Sequence, residues 1–502
     1  MSNPQENQSE SQNEIDRCIE LLRPSSSDDA KFVALMLLPR LLKQEKKNVV
    51  LIFDAMDFKF LERLMRTESV NDDNLPDFTL KSIAVNILSC FCATDELLNR
   101  KQIHARIPTL ASLISQNNEE LTRDILGILL RLSSVNQGLI YIIDDKVISK
   151  ILQCITSFTN VEIQELALNV IYYTTIGVTT SISQNQSLSD SKTIVQGYIF
   201  TIFKQLSETF RINQDKIKFD LLQFFVNIFS LISDQFIQDF LINDKSQISI
   251  WLKNFRHGSE QRDKALSLVM LLLHHFGTTS LLAPVTSNLT LTQISKSAAG
   301  DIENEFKFSA LLTQLSCVEI RLMLDELGQE KKNDKFNERL DVMLPACYTI
   351  LEKSIEYLLH VENLLESQEK VETNRVKLEP DVLLRLKGTM TETFRAIIEY
   401  LVDVKEEGIS YEAAVKDEKV VASIRILSAW LAEESSLEKE TLAVLPFLIG
   451  IYNYCLEKSK EMDLVQILTP AFLNITSQDN LRKAFLELGG AQIMVDYLEE
   501  EE

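Results

Sequence analysis

Three stretches of the chain repeat one apolar pattern at an offset of 41 residues: Ala84, Leu88 and Phe91 recur as Ile125, Leu129 and Leu132, then as Leu166, Val170 and Tyr173. The i, i+4, i+7 spacing puts each trio on one helical face, because side chains three, four and seven residues apart line up on an α-helix. The stretches in between keep the same step. Ile107, Leu110 and Ile114 return as Ile148, Ile151 and Ile155. Polar joints at Asn117–Glu120 and Thr159–Val161 separate the two kinds of helix, so one step holds a helix pair.

A single pair cannot bury its own apolar face, whereas stacked pairs can, and a period near 40 residues is that of armadillo- and HEAT-type repeats. The pattern therefore predicts an all-α, armadillo/HEAT-like α-solenoid of stacked helix pairs. Upstream, Phe58, Leu61 and Met65 match Ile107, Leu110 and Ile114 at an offset of 49, and the surplus fits an inserted loop at Thr67–Asp77. Only 13 Gly and 10 Pro among 502 residues interrupt the helical tendency. A solenoid grows by adding repeats, and this length gives roughly 10 to 12 pairs.

Polar interruptions divide the array. Residues 1–14 are mostly Gln, Asn, Ser and Glu, too polar to pack, and are expected to be disordered. Residues 15–277 then form an N-terminal helical-repeat array, 278–305 a loop or hinge, and 306–502 a C-terminal array. Thr179–Lys192 reads as a Ser/Thr/Gln loop, and Gly328–Asn337, Glu366–Asn374 and Lys405–Asp417 as charged joints. Such edge loops often carry binding specificity.

Charge narrows the partners. Lys plus Arg number 51 against 73 Asp plus Glu, a net −22, which argues against binding a phosphate backbone. The strongest basic run, Lys43-Gln44-Glu45-Lys46-Lys47, reads as a solvated helix end, with peripheral contact to an anionic membrane as the other reading. Seven cysteines form no disulfide framework; Cys154, Cys317 and Cys347 lie in apolar segments where a thiol packs as a small hydrophobe, which implies a reducing, cytoplasmic setting. The polar N-terminus lacks the basic and apolar regions of a signal peptide, and the longest apolar stretch, Leu221–Ser233, is too short to span a bilayer.

The spacing of reactive residues points to no enzyme, cofactor or metal site. Gly489-Gly490 is the one close glycine pair, too little for a phosphate-cradling loop. His104, His257, His274, His275 and His360 include no i, i+4 pair; the adjacent His274 and His275 point about 100° apart on a helix. Cys90 and Cys92 flank the core-facing Phe91 and are expected to pack. No G-x-S-x-G elbow occurs.

Near the C-terminus, residues 420–434 form an amphipathic helix with Val420, Ile424, Leu427 and Leu431 on one face. Ser435 with Glu438 is expected to make a capping box for the next helix, through Leu442, Leu445, Pro446 and Phe447. This segment resembles the neurochondrin family, as do Leu315-Ser316-Cys317-Val318-Glu319-Ile320-Arg321-Leu322, Ile52-Phe53-Asp54-Ala55, Phe91-Cys92 and Ile107-Pro108. The resemblance runs in order along most of the chain. It implies a cytosolic helical-repeat protein without enzymatic activity, linked in animals to neurite outgrowth, synaptic signalling and restraint of calcium/calmodulin-dependent kinase phosphorylation. Kinase, receptor or cytoskeletal protein partners are what it implies. Animal members continue with further helices after the position of Leu481–Ala491, so the chain reads as a shorter or incomplete form. The family's N-terminal cysteines are missing, the first being Cys18, and lipid anchoring is not carried over.

The expected function is a non-catalytic scaffold or signalling regulator that binds partner proteins, with Arg425, Glu433 and Glu434 as partner-binding candidates because the apolar face of their helix is committed to the core. The alternative is an armadillo-type trafficking or transport adaptor. Importin-like arrays use a W-x-x-x-N ladder, whereas here Trp251 is followed by Phe255 and Trp430 by Glu434.

Overall fold

Short polar side chains start the helices. Asp57, Asn118, Asp144 and Asn160 each accept a backbone N–H from the first turn of the helix they precede, pairing a donor that the helix cannot satisfy itself. The computed structural model describes residues 15–42, 46–67, 77–184, 192–233, 236, 259–277, 296–327, 334–368, 380–459 and 462–501, and the regular elements among them are helical, with no strand.

Two compact units divide the chain, Met1–Trp251 and Leu252–Glu502. The first holds α1 (15–22), α2 (Asp28–Leu42), α3 (Lys46–Ala55), α4 (Phe58–Arg66), α5 (Asp77–Cys92), α6 (Lys101–His104), α7 (Ile107–Ser112), α8 (Glu119–Leu132), α9 (Asn136–Ile142), α10 (Asp145–Ser157), α11 (Val161–Ser183), α12 (Lys192–Ile212) and α13 (Lys216–Leu231). They stack as two ladders: α2, α5, α8, α11 and α13 pack in succession, and so do α4, α7, α10 and α12. The second unit repeats the scheme with α14 (Ser259–Phe276), α15 (Lys296–Leu327), α16 (Asp334–Gln368), α17 (Pro380–Glu406), α18 (Tyr411–Ala414), α19 (Glu418–Glu433), α20 (Glu438–Tyr454), α21 (Met462–Ile475), α22 (Asp479–Glu487) and α23 (Gly490–Glu501). Here α14, α16, α19 and α21 form one ladder and α15, α17, α20 and α22 the other.

The 41-residue step holds for the short-helix ladder, where Ile107, Leu110, Ile114, Ile148, Ile151 and Ile155 are all buried. In the long-helix ladder it holds from α5 to α8 and then slips. Val170 is buried, but Leu166 is half-buried and Tyr173 is 50% exposed. The face of α11 that packs is Ile163, Ala167, Ile171, Thr174 and Val178, one residue further on. The joint before α11, residues 158–160, is half as long as the joint before α8, residues 113–118, and the helix turns to bury its own best face. Two other expectations are corrected. Helix α11 continues through Thr179–Ser183, part of the expected loop. No Ser435/Glu438 capping box forms: Leu437 takes the N-cap position of α20 without a side-chain bond, because burying its isobutyl group fixes the chain there.

Of the expected insertion at Thr67–Asp77, residues 68–76 lie outside the described residues, as do residues 1–14, 278–295, 328–333 and 369–374; the last part of the expected 278–305 loop, from Lys296 on, lies in α15. Residues 43–45 of the basic run and Trp251 also lie outside.

Polar ties link successive rungs, such as the half-buried bond from Asn160 Nδ2 to Glu119 Oε2 at 2.7 Å and the exposed pair of Arg123 with Glu162 at 3.0 Å. Each exposed pair contributes about 0–1 kcal/mol, whereas one buried Leu or Ile contributes about 1.5–3 kcal/mol, so the apolar rungs hold the array together. Buried hydroxyl pairs tie helices as well: Thr175 with Tyr198 at 2.9 Å and Thr313 with Ser354 at 2.8 Å cross between the ladders, and Tyr348 with Ser423 at 2.9 Å joins α16 to α19 within one ladder. An unmade bond at such a site costs about 1–3 kcal/mol, so these pairs fix how the helices face each other.

Candidate functional site

Four helix ends meet at one edge of the C-terminal unit and enclose a cleft of about 470 Å³. The C-terminal turns of α15 and α17, the start of α16, the joint after α17 and the first turn of α19 line it. Its apolar floor includes Leu324, Leu340 and Val420, and its rim carries Asp325, Glu399, Asp403, Glu407 and Asp417. The two cations of the lining are engaged elsewhere: Arg321 donates to Glu392 at 2.6 Å and Lys419 pairs with Asp341 at 2.7 Å. Asp417 caps α19, accepting from the Lys419 amide at 2.9 Å. Asp325, Glu399, Asp403 and Glu407 form no ion pair among the described residues. The resulting negative field is felt inside the cleft. Burial raises the Tyr400 hydroxyl well above the ordinary tyrosine value, and the carboxylates of Asp417 and Glu407 push it further in the same direction.

Arg425, Glu433 and Glu434 do not join this cleft. Arg425 is 57% exposed at its side chain and lies bidentate on Glu352 of α16, at 3.0 and 3.3 Å. Glu434, the C-cap of α19, pairs with Lys387 of α17 at 2.7 Å. Glu433 is exposed, with no ion pair among the described residues. Glu433 stands about 21 Å along α19 from Lys419, at the far end of the same helix. The charged joint Lys405–Asp417 was visible in the sequence; Asp325 and Glu399 carried no signal, because only the fold brings helix ends so distant in the chain to one edge.

The strongest cluster of buried charge belongs to packing. Glu319 on α15 is 1% exposed and lies between Arg339 of α16, 2.7 Å from Oε2, and Arg262 of α14, 2.8 Å from Oε1 but off the hydrogen-bonding direction. Arg339 also grips Asp263 at 2.7 and 2.9 Å, and that bond is the main reason its guanidinium is held even more firmly protonated than usual. Removing one partner from a buried pair of this kind costs about 3–5 kcal/mol.

The remaining candidates are also packed. Phe91 meets Phe53 edge-on at 5.2 Å, Cys92 is buried and its thiol is pushed up to about 12 by burial, and Cys90 is half-buried. His274 is exposed and His275 half-buried. No group of three or more His, Cys, Asp or Glu able to hold a metal occurs among the described residues. Trp430 is buried and stacks on Phe394 at 4.4 Å, so it offers no outward Trp ladder. No described helix is long and apolar enough to cross a membrane.

Comparison with known proteins adds to this geometry. The neurochondrin family model matches residues 9–501. Neurochondrin of Mus musculus is 27% identical over 98% of this chain and 64% of its own length, and the neurochondrin homolog of Drosophila melanogaster is 25% identical over 97% and 64%. The chain thus spans 64% of the length of these curated relatives. Among solved structures, "A conserved phosphorylation switch controls the interaction between cadherin and beta-catenin in vitro and in vivo" matches 96% of this chain and 90% of its own, with a TM-score of 0.50 and 12% identity, a likeness of fold.

Proposed function

The chain belongs to the neurochondrin family, and on that premise we propose that it is a non-catalytic helical-repeat scaffold or signalling regulator that holds a cationic segment of a partner protein in the edge cleft. The observation that carries this reading is the set of carboxylates at the cleft rim without ion pairs of their own, above an apolar floor. Lys and Arg side chains suit such a site, since their stems pack on apolar atoms while their heads reach the acids. Arg425, Glu433 and Glu434 are proposed as secondary contacts along the same helix. A cytoplasmic setting belongs to the reading and is supported by seven cysteines, none of which forms a disulfide among the described residues.

The test uses the full chain and a fluorescent nonaarginine peptide at low salt. A net charge of −22 attracts any polycation, so the control has to move the same charge elsewhere. The variant Asp403→Lys/Glu407→Lys is expected to lose binding by about tenfold or more, equivalent to about 1.4 kcal/mol. Glu487→Lys/Asp496→Lys, which alters net charge equally on α22 and α23, is expected to bind nearly as the wild type does. Equal losses in both variants would mean diffuse attraction, and the cleft reading would fall.

A further inference from the structure

The joint that forms the open wall of the cleft, residues 407–417, is braced from behind by a ring seated on a glycine. Helix α17 gives way to Gly408 at φ +75°, a left-handed conformation that suits glycine. Ser410 then caps α18, its Oγ accepting the Ala413 amide at 3.2 Å. Between this cap and that of Asp417, Tyr411 lays its ring on α20 at Gly450. A Cβ at position 450 would stand 2.7 Å from Tyr411 Cε1 and closer still to Cζ and Oη, so no side chain fits beneath the ring. Phe447, one turn earlier on α20, meets the ring at 6.2 Å. The outer side of Tyr411 is open, leaving the residue 39% exposed. Glycine inside a helix weakens it relative to alanine, so position 450 serves the ring at the expense of α20.

Resting on the cleft reading above, we propose that Tyr411 is a positioning residue: seated on Gly450, it fixes the wall that carries Glu407 and Ile409 and thereby sets how tightly the cleft grips a cationic segment. The two caps act within the chain around the joint, whereas the Tyr411 ring ties its middle to a separate helix, since α18 packs on α20. A contact of this kind transmits the position of α20 to the rim. The phenol oxygen is not required for it, because the seat is made by ring and backbone.

Hydrogen exchange on the full chain and nonaarginine binding together test the idea. In Gly450→Ala, which expels the ring, and Tyr411→Ala, which removes it, amides of 408–416 are expected to exchange about tenfold faster or more while α19 exchanges as in the wild type. Nonaarginine is expected to bind about three- to tenfold more weakly in both. Tyr411→Phe is expected to restore both readouts, which a general loss of stability would not. Should Gly450→Ala disrupt α20, Tyr411→Ala, which opens space instead of filling it, carries the test. Unchanged exchange in Tyr411→Ala overturns the seat. Faster exchange with unchanged nonaarginine affinity, alongside a loss in Asp403→Lys/Glu407→Lys, overturns the positioning role alone. A wild type that does not bind nonaarginine removes the cleft reading and this role with it.

Discussion

His104 is 1% exposed, and its Nε2–H donates to the Leu98 carbonyl at 2.6 Å. Burial lowers its basicity, and the carbonyl bond offsets only part of that, so the folded unit holds the imidazole neutral. The unfolded chain takes up a proton as the pH falls through the ordinary histidine value of 6.5 while the folded one resists, and stability present above that pH is lost below it. Asp57 adds a later loss. Burial alone would raise its carboxyl, but the Lys31 ammonium at 2.9 Å and the Phe60 and Lys59 amides hold it below the usual 3.8. Urea midpoints of the N-terminal unit are therefore expected to fall between pH 7.5 and 5.5, and His104→Gln is expected to flatten that slope while lowering the plateau. A variant with the wild-type slope would show that another group titrates. None of this was legible in the sequence: Lys31, His104 and Glu319 look like ordinary surface residues until partners from other helices close over them.

Successive rungs set their register at the joints. Ala84, Leu88 and Phe91 were readable as a packed face because α5 and α8 keep the 41-residue step, and Tyr173 departs from it where the joint before α11, three residues against six before α8, lets the helix turn. A fixed period measures the distance between helices plus the joint, whereas burial measures the helix alone. Inserting one Ser between Phe158 and Thr159 is accordingly expected to change stability by less than about 1 kcal/mol, since surface joints absorb length. The same Ser inserted after Asn169 turns the rest of α11 by about 100° and withdraws Val170, Ile171 and Thr174 from the core. That insertion is expected to cost several kcal/mol, about 2–5 for each large side chain exposed, and urea unfolding of the two proteins compares them directly. Equal destabilisation would mean that the joint is rigid and the register is not set there. The N-cap of α20 belongs to the same scale: Ser435 and Glu438 have the right letters for a capping box, and the burial of Leu437 outweighs them.

Across the whole molecule the acid is unevenly shared. Residues 252–502 carry 42 Asp and Glu against 27 Lys and Arg, while residues 1–251 carry 31 against 24. That imbalance was countable, and the helical class was legible from periodicity, but the cleft was not, because helix ends remote in the chain meet only after folding. Charge of this sign predicts that the full chain at about 10 μM leaves a short DNA duplex unshifted in a low-salt gel, where nonspecific binders shift it; a retarded band would reveal a basic face that the count hides. The segment Leu315–Leu322, which resembles the neurochondrin family in the letters themselves, places Ser316, Cys317, Glu319 and Ile320 in the interior and ties α14, α15 and α16 through one carboxylate. That segment thus serves the architecture. Under the function proposed above, the partner would be read at the cleft rim, apart from the interior carboxylate that locks three helices together.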